Sequence, residues 1–130
     1  KLDPRAGLMA AYDADVFLSS ANAITDDGIM VNIDGNSNRV SCIAQGPKKV
    51  VFIVGINKVC SDLDAAMKRA RNVAAPVNAQ RFEVKTPCKT TGKCFDCKSP
   101  DTICCQFLIT RYSRHTGRIH VILVNDNLGF

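Results

Sequence analysis

Two short runs are apolar at nearly every position, Asp15-Val-Phe-Leu-Ser19 and Lys49-Val-Val-Phe-Ile-Val-Gly55. Strands that read this way are buried on both faces, as in a parallel sheet covered by helices. Residues 29–34 behave differently. Ile29, Val31 and Ile33 alternate with Met30, Asn32 and Asp34, which predicts a strand with one more polar face, and Asp26-Asp27-Gly28 ahead of it reads as a turn. Val40, Ile43 and Ala44 recur at helical spacing as far as Gly46-Pro47, where glycine accepts positive φ and proline cannot continue a helix. A longer helix is predicted from Ser61 as N-cap, with Asp62 and Asp64 in the first turn and Lys68, Arg69 and Arg71 in the last. Those charges are opposite in sign to the helix dipole at each end, and Leu63, Ala66, Met67 and Ala70 form one apolar stripe. Another short helix is expected within residues 74–82, beginning near Pro76. After an irregular stretch the strand pattern returns at 107–110 and 120–124, joined through Arg114-His-Thr-Gly117.

Strand–helix alternation with buried strands predicts an α/β domain: a largely parallel sheet with flanking helices. At 130 residues the chain is one domain's worth, residues 1–130, with a cysteine-rich loop at 86–105 inside it. No apolar run approaches the roughly 20 residues that span a bilayer, and the opening Lys1-Leu-Asp-Pro-Arg5 shows no export signal, so no membrane association is expected. The cysteine count is odd and the core adequate, which points to a reducing cytoplasm rather than a secreted disulfide scaffold.

Five of the seven cysteines fall between Cys88 and Cys105, spaced C-x5-C-x2-C-x6-C with Cys105 directly following. Cys94 and Cys97 can grip one metal ion from a tight turn, and Cys88 and Cys104 would complete a tetrahedral thiolate set. Gly92 eases the turn and the neighbouring lysines favour deprotonated thiols. Structural zinc usually uses two Cys-x2-Cys pairs, and the opening C-x5-C-x2-C is one residue longer than the plant-type ferredoxin start. An iron–sulfur cluster or zinc, reduced thiols that pack, and a disulfide or redox use of Cys104 and Cys105 all stay open. Cys42 and Cys60 read as small core residues.

Charge is uneven in a way that marks the same region. Residues 1–80 carry nine basic and eight acidic side chains, whereas residues 81–120 carry eight basic and three acidic. Such a surface attracts phosphate, an anionic cofactor or an acidic partner, or simply offsets thiolate charge. Nucleic acid is disfavoured, because Phe95 is the one aromatic available for stacking among those lysines.

A second candidate is the crevice beyond the C-terminal strand ends, where ligands of open α/β sheets bind. Ser20 and Asn22 follow one strand, Asp34, Gly35 and Asn36 another, and Asn57 and Lys58 a third. The amides opening the helix near Arg39 could hold an anion, with Arg39 adding charge; the alternative is that these residues shape turns and cap the helix. His115 and His120 are separated by Gly117 and form no helical pair. Ser37 and Ser41 sit in no nucleophile-elbow pattern, and neither a Walker loop nor a dinucleotide fingerprint is present.

The stretch Ala14-Asp-Val-Phe-Leu-Ser-Ser-Ala-Asn-Ala-Ile-Thr-Asp-Asp-Gly28, with Val31-Asn-Ile-Asp-Gly-Asn-Ser-Asn-Arg39, resembles the LUD family, named for lactate utilisation proteins. The resemblance continues through Gly46-Pro-Lys-Lys-Val-Val-Phe-Ile-Val-Gly-Ile-Asn-Lys58, Arg71-Asn-Val-Ala-Ala-Pro-Val-Asn78, the cysteine segment and Val124-Asn-Asp-Asn-Leu-Gly-Phe130. It implies a fold related to ribose-5-phosphate isomerase, CoA transferases and methylthioribose-1-phosphate isomerase. It also implies that the chain is the C-terminal part of a longer protein, whose N-terminal part would add more sheet and a glycine-rich loop.

By the same resemblance the expected role is in lactate-type organic-acid or redox metabolism, beside iron–sulfur protein partners. The expected ligand is a small anionic metabolite; a homo-oligomer stays open, since in a fragment exposed sheet edges would drive self-association whatever the native assembly. In the last-named isomerase, Gly-Ala-Asp-Arg-Ile resembles Ser20-Ala-Asn-Ala-Ile24, and Asn-Lys-Ile-Gly-Thr resembles Asn32-Ile-Asp-Gly-Asn36. Asn22 therefore replaces a catalytic aspartate, and an amide cannot serve as a general base. An isomerase- or CoA-transferase-like enzyme acting on an anionic small molecule is the alternative reading.

Overall fold

A computed structural model describes residues 3–130; Lys1 and Leu2, the start of the predicted domain, lie outside the described residues. In chain order the elements are α1 (Pro4–Tyr12), β1 (Val16–Ser19), β2 (Ala23–Thr25), β3 (Met30–Asp34), α2 (Asn38–Ala44) and β4 (Lys49–Gly55). A single 3₁₀ turn (Ile56–Lys58) leads to β5 (Val59–Cys60), followed by α3 (Leu63–Arg69), α4 (Ala75–Ala79), α5 (Pro87–Thr91), β6 (Gln106–Thr110) and β7 (Ile119–Val124).

The two apolar runs form parallel strands as expected, but they are buried on one face only, not on both, because no helix among the described residues covers the other face of their sheet. β1 and β4 pair in parallel, and β7 pairs in parallel with the other edge of β4, giving a three-stranded sheet in the order β1-β4-β7. A second sheet, in the order β5-β2-β3-β6, is mixed: β2 and β5 are parallel, whereas β3 runs antiparallel to both β2 and β6. The chain passes from the first sheet to the second twice, side by side. One passage is Ser20–Asn22, between β1 and β2; the other is Ile56–Lys58, between β4 and β5. This double crossing organises the candidate site.

One face of the first sheet (Phe17, Val50, Phe52, Val54 and Ile119) packs with Ile43 of α2 and with Ile24, Met30 and Leu108 of the second sheet. The other face of the second sheet packs Ala23, Val31 and Ile33 against Ala66 and Ala70 of the α3 stretch. The remaining face of the first sheet carries Val16, Leu18, Ile53 and Ile122, which are all exposed. No helix among the described residues is long and apolar enough to cross a membrane.

Three local differences from the sequence reading have physical causes. The N-cap of α3 is Asp62, whose carboxylate accepts from Ala65 N–H at 2.8 Å, and Ser61 stands one residue earlier. The two helices expected at 61–71 and 74–82 join through a π-helical turn at Ala70–Ala74. Pro76 lacks an N–H and crowds the carbonyl four residues back, so a widened turn absorbs it without breaking the rod. β2 has only three residues, too few for alternation to reveal.

The C-terminal end of α2 is closed by a side chain from far along the sequence. Arg118 donates from Nη1 to Ile43 O (2.8 Å), from Nη2 to Cys42 O (3.0 Å) and from Nε to Pro47 O (3.1 Å). Helix-end carbonyls lack intrahelical partners, and the planar guanidinium serves two of them, and Pro47 O beyond the helix, at once. Arg118→Ala is expected to lower stability by about 2–3 kcal/mol in urea unfolding. Arg118→Lys should recover only part of that loss.

Candidate anion site and cysteine segment

Lys58 ends the 3₁₀ turn of the second crossing, and there its side chain is only 5 % exposed. Its ammonium donates to Ser20 Oγ of the first crossing at 3.1 Å. Arg69, at the C-terminal end of α3, reaches the same place, donating from Nη1 to Asn22 O at 2.6 Å and from Nε to Asn57 O at 3.0 Å. Arg39, in the first turn of α2, donates from Nη2 to Asn22 Oδ1 (3.2 Å) and to Ile33 O (2.5 Å). Three cations thus converge from three elements on the two crossings.

Their charges are not matched. Among the described residues the ion pairs are Lys48 with Asp15 and Arg71 with Asp96, neither of which involves this cluster. Burial, then the charges of Arg69 and Arg39, push the Lys58 pKa below its ordinary value. Burial also lowers Arg39, with Asp34 opposing, and lowers Arg69, with Cys60 opposing. Asp34 is the carboxylate beside Arg39, and its oxygens are occupied by backbone: Asn36 N–H at 3.2 Å, Arg39 N–H at 2.9 Å and Val40 N–H at 3.1 Å. Buried Arg39 Nε lacks a partner among the described residues, as do both amide atoms of Asn32, two residues before Asp34 on β3.

Of the residues expected at the crevice, Ser20, Asn22, Asp34 and Arg39 are brought together. Asn22 is fully engaged as scaffold, its Oδ1 accepting from both Ile33 N–H (2.8 Å) and Arg39. The helix amides expected to hold an anion are instead filled by Asp34. Gly35 packs against the cysteine segment, where a Cβ would stand 3.2 Å from Ile103 Cα. Asn36 is exposed and lines a separate hollow with Tyr12 and Ser41. Lys58 had stood out only as a residue following a strand, and Arg69 only as a helix-end charge. The available signal for Lys58 was a lysine directly continuing a buried apolar strand.

The cysteine segment lies next to this cluster. Cys105 N–H donates to Asp34 O at 2.9 Å. Two residues beyond Arg69, Arg71 turns toward the segment and donates to Cys94 Sγ (3.6 Å) and Asp96 Oδ1 (2.6 Å). Cys88 sits in the first turn of α5, a helix where the sequence predicts irregular chain, its sulfur 3.3 Å from Thr86 Oγ1, and Gly92, at φ +71°, ends that helix. Burial first, and then the charges of Cys88, Cys94, Cys97 and Cys105, push the Cys104 thiol up to about 11. All seven cysteines are unpaired, and Cys42 is a buried core residue as expected. As they lie, no three Cys, His, Asp or Glu side chains among the described residues form a metal-holding group. His120 is exposed and meets Gly117 O at 2.7 Å.

A hollow of about 620 Å³ lies elsewhere, between α2 and the β6–β7 connection. Arg111, Arg114 and His115 are on its rim.

The family model described as LUD domain matches residues 8–124. Neither a curated protein nor a solved structure matches the chain.

Proposed function

The chain belongs to the LUD domain family, associated with lactate utilisation, and from that membership we propose that it holds a small organic anion at the double crossing. In this reading it is a ligand-binding subunit of lactate-type organic-acid or redox metabolism. The observation that carries the reading is Lys58, a buried ammonium with one hydroxyl as its partner among the described residues, near two guanidiniums. Burying a cation without a counter-charge is strongly unfavourable. Three cations against the single carboxylate of Asp34 leave a positive surplus that a carboxylate or phosphate would neutralise. The unpartnered Arg39 Nε and the remaining Lys58 protons are donors available for it.

The geometry favours binding over isomerase-type proton abstraction. Asn22 is an amide used as scaffold, and Asp34 spends its oxygens on backbone N–H groups, so neither serves as a general base. An isomerase- or CoA-transferase-like enzyme acting on the same anion is therefore the second reading. In the first, electron transfer falls to iron–sulfur protein partners. Seven unpaired thiols suit the reducing cytoplasm, where we place the domain.

The test is thermal unfolding of the full-length protein in increasing lactate, pyruvate or inorganic phosphate. A bound anion at 100 times its Kd adds about 2.7 kcal/mol of stability. A saturable rise in Tm is expected for at least one of these anions, weakened tenfold or more in Arg39→Gln and in Arg69→Gln. No saturable shift with any of them at millimolar concentrations would overturn the reading.

A further inference from the structure

We infer that the hollow between α2 and the β6–β7 connection is a nucleotide site, holding a mononucleotide with its base against Tyr112 and its phosphates on Arg111 and Arg114. Between Asp101 and Asp126 the chain carries three arginines, two histidines and no acidic residue. All three arginines fall in the connection itself, Arg111-Tyr-Ser-Arg-His-Thr-Gly-Arg118. Like charges this close repel one another, and an anion between them relieves the repulsion.

The hollow has the size and make-up of a small-molecule site. It measures about 620 Å³, within the roughly 300–1,000 Å³ of ordinary ligand pockets. Its floor is apolar and fixed: Ile43 belongs to the buried core, and Leu108 and Ile119 pack against that core. Its rim is cationic, and none of the described residues lining it is acidic. Arg118 is a rigid part of the wall, since its three nitrogens are spent on the carbonyls of Cys42, Ile43 and Pro47. Arg111 and Arg114 differ. Both are exposed, and neither forms an ion pair among the described residues, so their guanidinium forks remain open. An open fork suits phosphate, which accepts two parallel N–H bonds from it. A second hollow, of about 510 Å³, shares His115 and Arg118 with the first and extends the positive rim to Lys49.

Tyr112 supplies what a plain anion site lacks. It borders the hollow with its side chain 85 % exposed, leaving an aromatic face free to stack. One open aromatic beside two open forks matches one base and its phosphate tail. A single-stranded nucleic acid would need successive stacking platforms, and Tyr112 is the one tyrosine or phenylalanine among the described residues lining the hollow. With no carboxylate there to hold a divalent cation, the arginines meet the phosphate charge directly, and binding needs no added metal. The connection is also held in shape without a ligand. Ser113 Oγ and Arg118 N–H both donate to His115 O, at 3.2 Å and 3.1 Å, and Gly117 makes the bend at φ +73° with its carbonyl 2.7 Å from His120 Nε2. A preformed turn lowers the ordering cost of binding. The hollow shares no residue with the double crossing, so either site could fail without the other.

The test is calorimetric titration of the full-length protein, in EDTA, with ADP, AMP, adenosine, pyrophosphate and an oligothymidylate of about ten residues. ADP is expected to bind once per chain, with affinity falling from ADP to AMP to adenosine as phosphates are removed. The chain has no tryptophan and two tyrosines, so Tyr12→Phe leaves Tyr112 as the one emitting tyrosine, and ADP should quench it. Arg111→Gln and Arg114→Gln should each weaken ADP binding about tenfold, and Tyr112→Ala about tenfold through lost stacking, with Tyr112→Phe retaining it. All three side chains are exposed, so these variants are expected to fold. No saturable binding of ADP at millimolar concentrations would overturn the inference. So would pyrophosphate binding as tightly as ADP, or the oligothymidylate binding more tightly. Weakening by Arg39→Gln in place of Arg114→Gln would put the nucleotide at the double crossing and overturn it as well.

Discussion

Lys58→Met is expected to yield a protein that is more stable without anion and no longer responds to anion. The side chain is 5 % exposed and, among the described residues, its ammonium has a single hydrogen-bond partner, Ser20 Oγ. Methionine matches the length of the lysine stem and removes the charge. Replacing poorly compensated buried charge with an apolar group of similar volume stabilises proteins by about 1–4 kcal/mol in favourable cases. At the low end that is a rise of roughly 3–6 °C in Tm for a chain of this size. If Lys58 were an ordinary structural lysine, the same change would lower stability.

The pH profile gives a second readout. Because the folded-state pKa of Lys58 lies below its unfolded value of 10.5, the unfolded chain holds this proton more tightly between the two values. The penalty of the buried charge is present in full below the folded pKa and is relieved as pH rises toward 10.5, so stability climbs across that alkaline window. The groups facing Lys58 are Arg39 of α2, Arg69 of α3 and Ser20 of the first crossing, with Asp34 beyond Arg39 and Cys60 on β5. Cys60 and Cys104, whose pKa values are raised, act with the opposite sign. The informative quantity is therefore wild type minus Lys58→Met across the alkaline range. A difference that stays flat, or a variant less stable than wild type, would show that Lys58 is not an uncompensated cation.

The contrast between what the residues disclosed and what they concealed follows from range. β1, β3 and β4 were legible because each is an unbroken or alternating apolar run whose pattern is local. α3 was legible because its charge order and stripe agree. The split into two sheets was not, since the same parallel pair, β1–β4, hands over to β2–β5 through connections only three residues long. No periodicity marks a strand changing sheets. Ser20, Asn22, Asp34 and Arg39 could be named because they lie in one polar stretch following strand ends. Arg69 could not, since its contacts with Asn22 and Asn57 span 47 and 12 residues. Asp34 shows how a residue named as a ligand contact can serve the backbone instead: it occupies the helix amides expected to hold an anion.

Gly55→Ala is expected to expel the C-terminal segment and open the site. Gly55 ends β4 just before the second crossing, and the chain from Asp126 onward runs directly over it. A Cβ there would stand 2.5 Å from Leu128 N and 2.7 Å from Asp126 O, both backbone atoms that cannot rotate aside. The segment is tied down by Ile56 N–H to Asp126 O (3.1 Å), Leu128 N–H to Asn57 Oδ1 (3.2 Å) and Asn57 Nδ2 to Gly129 O (3.2 Å). A methyl group therefore breaks several bonds at once. Overpacking of about 1–3 kcal/mol joins a loss of about 0.5–1.5 kcal/mol for each neutral hydrogen bond, so a destabilisation of about 3 kcal/mol or more is expected in urea. Gly129 passes close to Lys58, a Cβ at that position lying 3.4 Å from Nζ. Lifting the segment should thus admit water to Lys58, weaken anion binding and expose the Ile56 and Leu128 amides to hydrogen exchange. Gly129→Ala is the control, its φ of +62° imposing local strain without touching β4. Protected Ile56 and Leu128 amides in Gly55→Ala, with unchanged stability, would mean that the C-terminal segment does not seal the double crossing.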